Sequence, residues 1–324
     1  MVDLANSSLQ HVSSQLTEFN SQLLNDVLDG LSQPVKKLNP KYFYDEKGSA
    51  YFDEICSLDE YYPYQTELTL LPRIAQDTAE LLSGDYSIVE FGAGSLKKIK
   101  PLFEAMRGIK RFVPIDISGA HLRSACQSLQ EDYPDIIMHP IEADFSLPVI
   151  LGERGNEKNL GFFPGSTIGN FTPEDARNFL YSAKMTLGKD GYLLIGVDTK
   201  KSPNILHKAY NDQKGVTAKF NLNILDRINR DLDTDFQVDK FEHYAFYNAG
   251  KGCVEMYLMS SEDQVVDVDG AAFQIKEGES IHTESSYKYT PEEFTSLAMS
   301  AGWSVKKQWL AEDNMFSTFL LSNR

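Results

Sequence analysis

VEFGAGS, residues 89–95, ends an apolar run that begins at Ser87 and brings two glycines one residue apart. Glycine allows a tight main-chain turn and a close approach of the backbone to a ligand. A buried strand that breaks into Gly-x-Gly and then a helix opens more than one kind of nucleotide-binding fold. In the pattern G-x-G-x-x-G the third glycine would fall on Lys97. A pyrophosphate needs a small residue there for close helix packing. The turn Glu90-Phe91-Gly92-Ala93-Gly94-Ser95 therefore argues against a dinucleotide. A glycine turn with no ligand at all stays open until the strands that follow are read.

Downstream the pattern alternates. Residues 96–107 predict a helix, Arg111–Ile117 a second strand, and 119–131 a helix with Leu122, Cys126 and Leu129 on one face. Ile136–Ile141 and Asn159–Pro164 predict the third and fourth strands, and Tyr192–Asp198 the fifth. Between the last two, Thr172-Pro-Glu-Asp opens a helix that Gly188 closes. Strands alternating with helices argue for a parallel sheet covered on both faces.

Upstream, residues 8–32 read as a polar-rich helix ending near Pro34, and 39–67 are dense in tyrosine. Residues 65–83 read as a helix with Leu71, Ile74 and Leu81 on one face. Beyond the fifth strand, 199–233 read as helical and 235–287 as strands. Thr290 starts another helix that Gly302 ends, and SVKKQWLAEDNMFSTFLLSN, 304–323, reads as two strands around a polar turn at 311–314. The sequence itself shows only two terminal strands; that such a pair forms a hairpin on an otherwise parallel sheet is what a likeness to methyltransferases, as opposed to nicotinamide dehydrogenases, implies.

The expected architecture is an α/β, Rossmann-like class I methyltransferase core, a mostly parallel sheet with a terminal antiparallel hairpin. Residues 66–198 form that core and 288–324 return to it. A second, substrate-covering α+β region combines 1–65 with the insertion 199–287, and the active site is expected between the two regions.

Composition narrows the class. Of 324 residues, 31 are basic and 47 acidic, a net charge of −16. Such a chain does not hold nucleic acid or an anionic membrane by charge. The N-terminal MVDLANSSLQ carries no secretory pattern, and no run approaches a membrane span. Cys56, Cys126 and Cys253 are far apart and form no CxxC, which points to a reducing compartment, the cytoplasm. His11, His121, His139, His207, His243 and His282 show no metal-ligand spacing, so no metal is expected. Nothing demands a dimer, and a monomer is expected.

Two acids follow the glycine turn in step with the strands. Asp116 ends the second strand, where a carboxylate accepts both hydroxyls of an adenosine ribose. Asp144-Phe145 follows the third strand and suits an adenine, the acid at its edge and the ring at its face. Together with Gly92 and Gly94 they indicate an adenosyl cofactor at the carboxyl ends of the strands. Lys97 and Lys98 suit a carboxylate such as the methionine end of S-adenosyl-L-methionine, or are a solvated helix start.

FFPGSTIGNFTPEDA, 162–176, identifies the family. This stretch resembles the S-adenosylmethionine-dependent L-histidine Nα-methyltransferases of ergothioneine biosynthesis. That family also holds fungal ergothioneine enzymes and an indole-alkaloid N-methyltransferase branch. The likeness extends to KYFYDEKGSAYFDEI at 41–55, EYYPYQTE at 60–67, AYNDQKGVTAKFN at 209–221, VEMYL at 254–258 and TESSYKY at 283–289. It departs at GAGS, where the family has GSGT, and at Pro164, where the family has an aliphatic residue.

The resemblance implies that Gly92, Lys98, Asp116, Asp144 and Phe145 bind cofactor. It implies that Tyr44, Tyr61, Gly165, Asn170, Tyr210, Met256, Glu284 and Ser286 surround histidine, with Tyr44 and Asn170 at the reacting centre. The chemistry agrees. Asn170 and Tyr210 are neutral donors for a carboxylate. Glu284 and Ser286 share a strand face and suit the two nitrogens of an imidazole. Met256 offers an adaptable apolar wall, and the Tyr44 ring can face an amine that becomes quaternary. Rival readings are a different amino acid or an indole ethylamine as substrate, a nicotinamide dehydrogenase, or an inactive cofactor-binding module. Tyr61, Tyr62 and Met256 can equally be core residues.

Overall fold

The computed structural model describes residues 20–94, 96–117, 119–152 and 155–323. The beginning of the helix expected over 8–32, His11 and Ser95 lie outside the described residues. The chain forms two units, one reaching Tyr61 and resuming over Ser202–Gly250 and Val254–Ser285, the other comprising Tyr62–Lys201, Lys251–Cys253 and the chain from Ser286 onward.

The first unit begins with α1, residues 20–31, which buries Leu23, Val27 and Leu31 four residues apart. Then α2, Glu46–Ile55, starts at Asp45, whose carboxylate accepts the Gly48 N–H at 2.7 Å.

The second unit holds the sheet. Its elements are α3 (Tyr62–Leu81), β1 (Tyr86–Phe91), α4 (Lys100–Ala105), β2 (Ile109–Asp116), α5 (Gly119–Asp132), β3 (Ile137–Met138), β4 (Ile141–Glu142), β5 (Lys158–Phe163), α6 (Pro173–Leu187) and β6 (Tyr192–Asp198).

The first unit then resumes with α7 (Pro203–Tyr210), α8 (Val216–Leu232), β7 (Phe241–Asn248), β8 (Cys253–Ser260), β9 (Gln264–Val268), β10 (Ala271–Ile275) and β11 (Ser280–Tyr287), except that Cys253, Ser286 and Tyr287 belong to the second unit. Finally α9 (Pro291–Ser300), β12 (Ser304–Leu310) and β13 (Phe316–Ser322) complete the second unit.

The large sheet runs β12-β13-β6-β5-β1-β2-β3, with β4 also on β2. β13 is antiparallel to both β6 and β12, and the other pairs are parallel. This is the α/β class I methyltransferase core with its terminal hairpin. β1, β6 and β13 are buried along their whole length, as strands covered on both faces must be. Two apolar clusters line the faces, one around Ile88, Phe112 and Leu194, the other around Val89, Phe163, Phe179 and Phe319. The first unit is α+β, with a three-stranded sheet β11-β8-β7 and a β9–β10 hairpin.

Three expectations are corrected. The third strand is not continuous over 136–141 but splits into β3 and β4 at His139-Pro140. Proline has no N–H for a ladder. Pro114 on β2 lies opposite this break. The Phe112 and Asp116 carbonyls both accept from the third-strand side, so residue 114 faces that side too. Each proline thus sits where the other needs no partner.

The helix expected over 96–107 is only Lys100–Ala105. Leu96 has a positive φ of 54°, and Pro101 belongs in a first turn. The helical stretch expected over 199–233 breaks between Tyr210 and Val216, at a left-handed Gly215. Within 235–287, read as strands over EHYAFY, CVEMYLMSS, AAFQIKEG and IHTESSYKY, QVVDV at 264–268 is an additional strand; Asp269 and Gly270, both with positive φ, turn it into β10.

Candidate active site

In the sheet unit the chain leaves β1 at Gly92 and Gly94, with φ of 66° and 45°. A Cβ at Gly92 would stand 3.1 Å from Cε1 of Phe145. Conformation and contact both require glycine there. Asp116, the end of β2, accepts the Gly94 N–H at 3.4 Å. Asp144 is exposed and accepts the Ser146 N–H at 2.9 Å, closing a turn. Phe145 is half-buried and edge-on to Phe163 and Phe179, at 5.7 and 6.0 Å. Gly92, Gly94, Asp116 and Phe145 thus share the carboxyl ends of the strands.

Glu90 lies beneath this turn, buried, with Oε2 lacking any hydrogen-bond partner. Burial pushes its carboxyl well above the usual range; Lys98 opposes this, and Asp116 and Glu67 add to it. These residues fit an adenosyl cofactor. Asp116 offers acceptors for ribose hydroxyls, Phe145 a ring, and Glu90 an unsatisfied acceptor for a donor such as an ammonium.

Lys98 has a protein partner. Its Nζ lies 2.6 Å from Glu67 Oε2, and the same oxygen accepts the Gly165 N–H at 2.8 Å. Glu67, on α3, is only 1% exposed. Gly196 of β6 makes room for it: a Cβ there would lie 2.1 Å from Glu67 Oε1. Lys98 and Gly165 are therefore held by one buried acid.

After β5 the chain turns through Ser166, which has a left-handed φ of 57°, into a short 3-10 helix, Thr167–Asn170. Ser166 Oγ accepts the Asp198 N–H at 2.8 Å, tying this turn to the end of β6. Gly169 lets the turn close on β11, since a Cβ would be 2.7 Å from the Tyr287 carbonyl and 3.5 Å from Ser286 Oγ. Gly169, the residue before Asn170, thus lies against Ser286.

Asp198 itself is fully buried. Its carboxylate accepts from the Tyr62 hydroxyl at 2.7 Å, lies 2.9 Å from Lys288 Nζ and pairs with Lys201. Lys288 in turn donates to Ser286 Oγ at 2.8 Å. The two ammonium groups hold the Asp198 carboxyl below its usual range, against the opposing effect of burial. Burial lowers Lys201 to about 8, with Asp198 opposing.

The remaining candidate residues lie in the other unit. Tyr44 meets Phe52 and Phe220 edge-on at 5.8 and 5.7 Å, and Tyr61 meets Phe52 and Tyr210 at 6.3 and 6.2 Å. Burial raises the Tyr61 phenol well above its usual range, and Tyr210, Cys56, Tyr44 and Glu284 add to this. Tyr44, Tyr210 and Glu284 thus all lie close enough to Tyr61 to act on it. Rings grouped in this way attract a cation. Met256 is 2% exposed, and its carbonyl accepts from the Thr283 hydroxyl at 3.1 Å.

A half-buried histidine braces Tyr210. His243 Nε2 lies 2.8 Å from the Tyr210 carbonyl, and Nδ1 lies 2.9 Å from Asn221 Nδ2. The same amide nitrogen is 3.0 Å from the Tyr257 carbonyl, and Asn221 Oδ1 accepts from Thr283. Carbonyls only accept, so Nε2 carries the proton and Nδ1 accepts from the amide. A second proton would set two donors against each other.

Burial lowers the His243 pKa; the Tyr210 carbonyl and Asp212 oppose this. A lowered folded-state pKa stabilises the fold above the unfolded value, about 6.5, and this stabilisation disappears as pH falls through the folded value. The melting temperature is expected to fall between pH 7 and 5, and to fall less in His243→Gln. Equal falls in the two proteins, read by calorimetry, would remove this role.

Reading the sequence missed Glu67, Asp198, Lys201 and Lys288. Asp198 had a signal, an acid at the carboxyl end of a parallel strand. Lys288 stood inside TESSYKY, and Glu67 inside EYYPYQTE.

A family model described as histidine-specific methyltransferase, SAM-dependent, matches residues 23–323. Histidine N-alpha-methyltransferase of Mycolicibacterium smegmatis is 37% identical, over 89% of this chain and 90% of that protein. Ergothioneine biosynthesis protein 1 of Schizosaccharomyces pombe is 27% identical, over 91% of this chain and 40% of that protein. The 4-dimethylallyltryptophan N-methyltransferase ifgB of Penicillium roqueforti is 27% identical, over 91% of this chain and 92% of that protein. Among the described residues no helix is long and apolar enough to cross a membrane.

Proposed function

The chain belongs to the SAM-dependent histidine-specific methyltransferases, and we propose that it methylates the α-amino nitrogen of L-histidine up to the trimethylated betaine hercynine, a reaction of ergothioneine biosynthesis. The observation that carries the choice of substrate is the buried acid Glu284 two residues before the buried hydroxyl of Ser286 on β11. An imidazole offers two ring nitrogens to such a pair, whereas an indole offers one N–H and no acceptor.

Gly92, Gly94, Asp116, Asp144 and Phe145 hold the cofactor, with Glu90 beneath the turn. Bound there, S-adenosylmethionine supplies an electrophilic methyl group on a sulfonium. Lys98 and Glu67 act by setting the Gly165 main chain. Asn170 and Tyr210 donate to the substrate carboxylate, Glu284 and Ser286 hold the imidazole, and Met256 packs beside it.

The α-amine attacks with its lone pair, so it must first lose a proton, which passes to water, directly or through a water held by Tyr44. Placing that nitrogen in line with the methyl carbon is the main contribution of these residues to the rate. The rings of Tyr44 and Tyr61 attract the nitrogen as it gains positive charge.

Limiting histidine with excess S-adenosylmethionine is expected to yield three equivalents of S-adenosylhomocysteine per histidine. One equivalent would restrict the protein to a single methylation.

A further inference from the structure

Glu90 is an acid at an interior position of the sheet. β1 is buried along its whole length, and Glu90 is 2% exposed. Side chains alternate along a strand, so Glu90 shares the face of Ile88, which belongs to the cluster that holds Leu122, Cys126 and Leu129 of α5. The residues opposite it are Pro114 on β2 and Phe162 on β5, whose side chains carry no donor. Its Oε2 accepts no hydrogen bond. A buried carboxylate without a partner is costly as an anion and takes a proton instead.

The titratable groups around Glu90 are Glu67 on α3, Lys98 in the turn after β1, Asp116 at the end of β2 and Cys126 on α5. Burial raises the Glu90 carboxyl most, Lys98 lowers it, and Asp116 and Glu67 raise it further. Lys98 is already engaged, with its Nζ 2.6 Å from Glu67 Oε2 and 4.8 Å from the centre of the Tyr64 ring. The Cys126 thiol is pushed up to about 11, by burial first and then by Glu90, so it stays neutral. With Glu90 ionised, the group would set three carboxylates against one ammonium.

We infer that Glu90 carries a proton in the cofactor-free protein and releases it to solvent as the cofactor's ammonium arrives, so that cofactor binding is linked to loss of a proton. This rests on S-adenosylmethionine binding at the turn that follows β1. The step is an ionisation: the carboxyl O–H bond breaks, its electron pair stays on oxygen, and the proton passes to the buffer. Lys98 matches the carboxylate of the cofactor and Asp116 its ribose. Glu90 is the acid left for the ammonium, and an opposite charge nearby favours its ionised form. The effect acts through space and is strong in a low-dielectric interior. Glu90 thus acts by its charge and touches no reacting atom.

The test is calorimetric titration of S-adenosylhomocysteine into the cofactor-free protein at pH 6, in buffers of different ionisation enthalpy. The amine and carboxyl of this ligand are both charged at that pH and exchange no proton of their own. The slope of observed heat against buffer enthalpy counts the protons exchanged. The wild type is expected to release about one proton per ligand bound, and its affinity to rise by up to about tenfold per pH unit. Glu90→Gln is expected to release none and to show a flat profile.

No release by the wild type, or equal release by both proteins, overturns the inference. If Glu90→Gln fails to fold, infrared difference spectra of the wild type, labelled with carbon-13 at its glutamate carboxyls, decide. The C=O band of a protonated glutamate is expected before the ligand is added and is expected to vanish on binding. A band that persists, or that is absent from the start, contradicts the inference. Absence of S-adenosylhomocysteine binding by the wild type removes the cofactor site itself, and the inference with it.

Discussion

Asp198→Asn is expected to destabilise the protein by about 3–5 kcal/mol, the usual cost of removing one partner of a buried ion pair. Lys201 and Lys288 would then face each other in the interior with no carboxylate between them. Their side chains are 6% and 1% exposed, so solvent cannot screen them. For a unit of this size the melting temperature should fall by roughly 10 °C. Asparagine keeps the shape and one acceptor, which makes the loss a matter of charge. Lys288→Met should cost much less, because it leaves one ammonium for one carboxylate. Scanning calorimetry separates these cases. An unchanged melting temperature in Asp198→Asn would mean that the cluster carries no net stabilising charge interaction.

Glu284→Ala is expected to lower kcat/KM for histidine by about 10- to 150-fold, the worth of a hydrogen bond to a charged group at about 1.5–3 kcal/mol. The KM for S-adenosylmethionine should stay within about twofold, because Glu284 belongs to no cofactor-binding stretch. The loss should be specific to the imidazole. Polar groups built for one ring are left unpaired by an apolar analogue, so the wild type rejects such analogues and the variant rejects them less. A variant that loses activity equally toward every amine, with cofactor affinity also lost, would place Glu284 in the fold rather than at the ring.

Much of the fold was legible because parallel strands are short, apolar and regularly punctuated. Tyr192–Asp198 was bounded to the residue, and the two terminal strands to within one. What escaped depended on contacts far apart in sequence. The break in the third strand becomes intelligible only when Pro114 and Pro140 are seen on facing positions. The short α4 follows from Leu96 in a left-handed conformation, which nothing about leucine announces.

The same holds at the site. Asp116 and Phe145 could be placed by counting strands, since each follows one directly. Glu67 could not, because its partners Lys98 and Gly165 are 31 and 98 residues away. Lys98 was read as a ligand for a carboxylate, and in the structure its ammonium also pairs with Glu67. Lys288 drew no reading of its own inside TESSYKY, and it is 2% exposed.

The most direct test of the whole account is to incubate the purified protein with S-adenosylmethionine and each of the twenty amino acids separately, reading products by mass spectrometry. The account predicts trimethylated product from histidine and none from the other nineteen. Methylation of tryptophan or another amine in place of histidine would contradict it, and would show that the acid and hydroxyl on β11 hold something other than an imidazole.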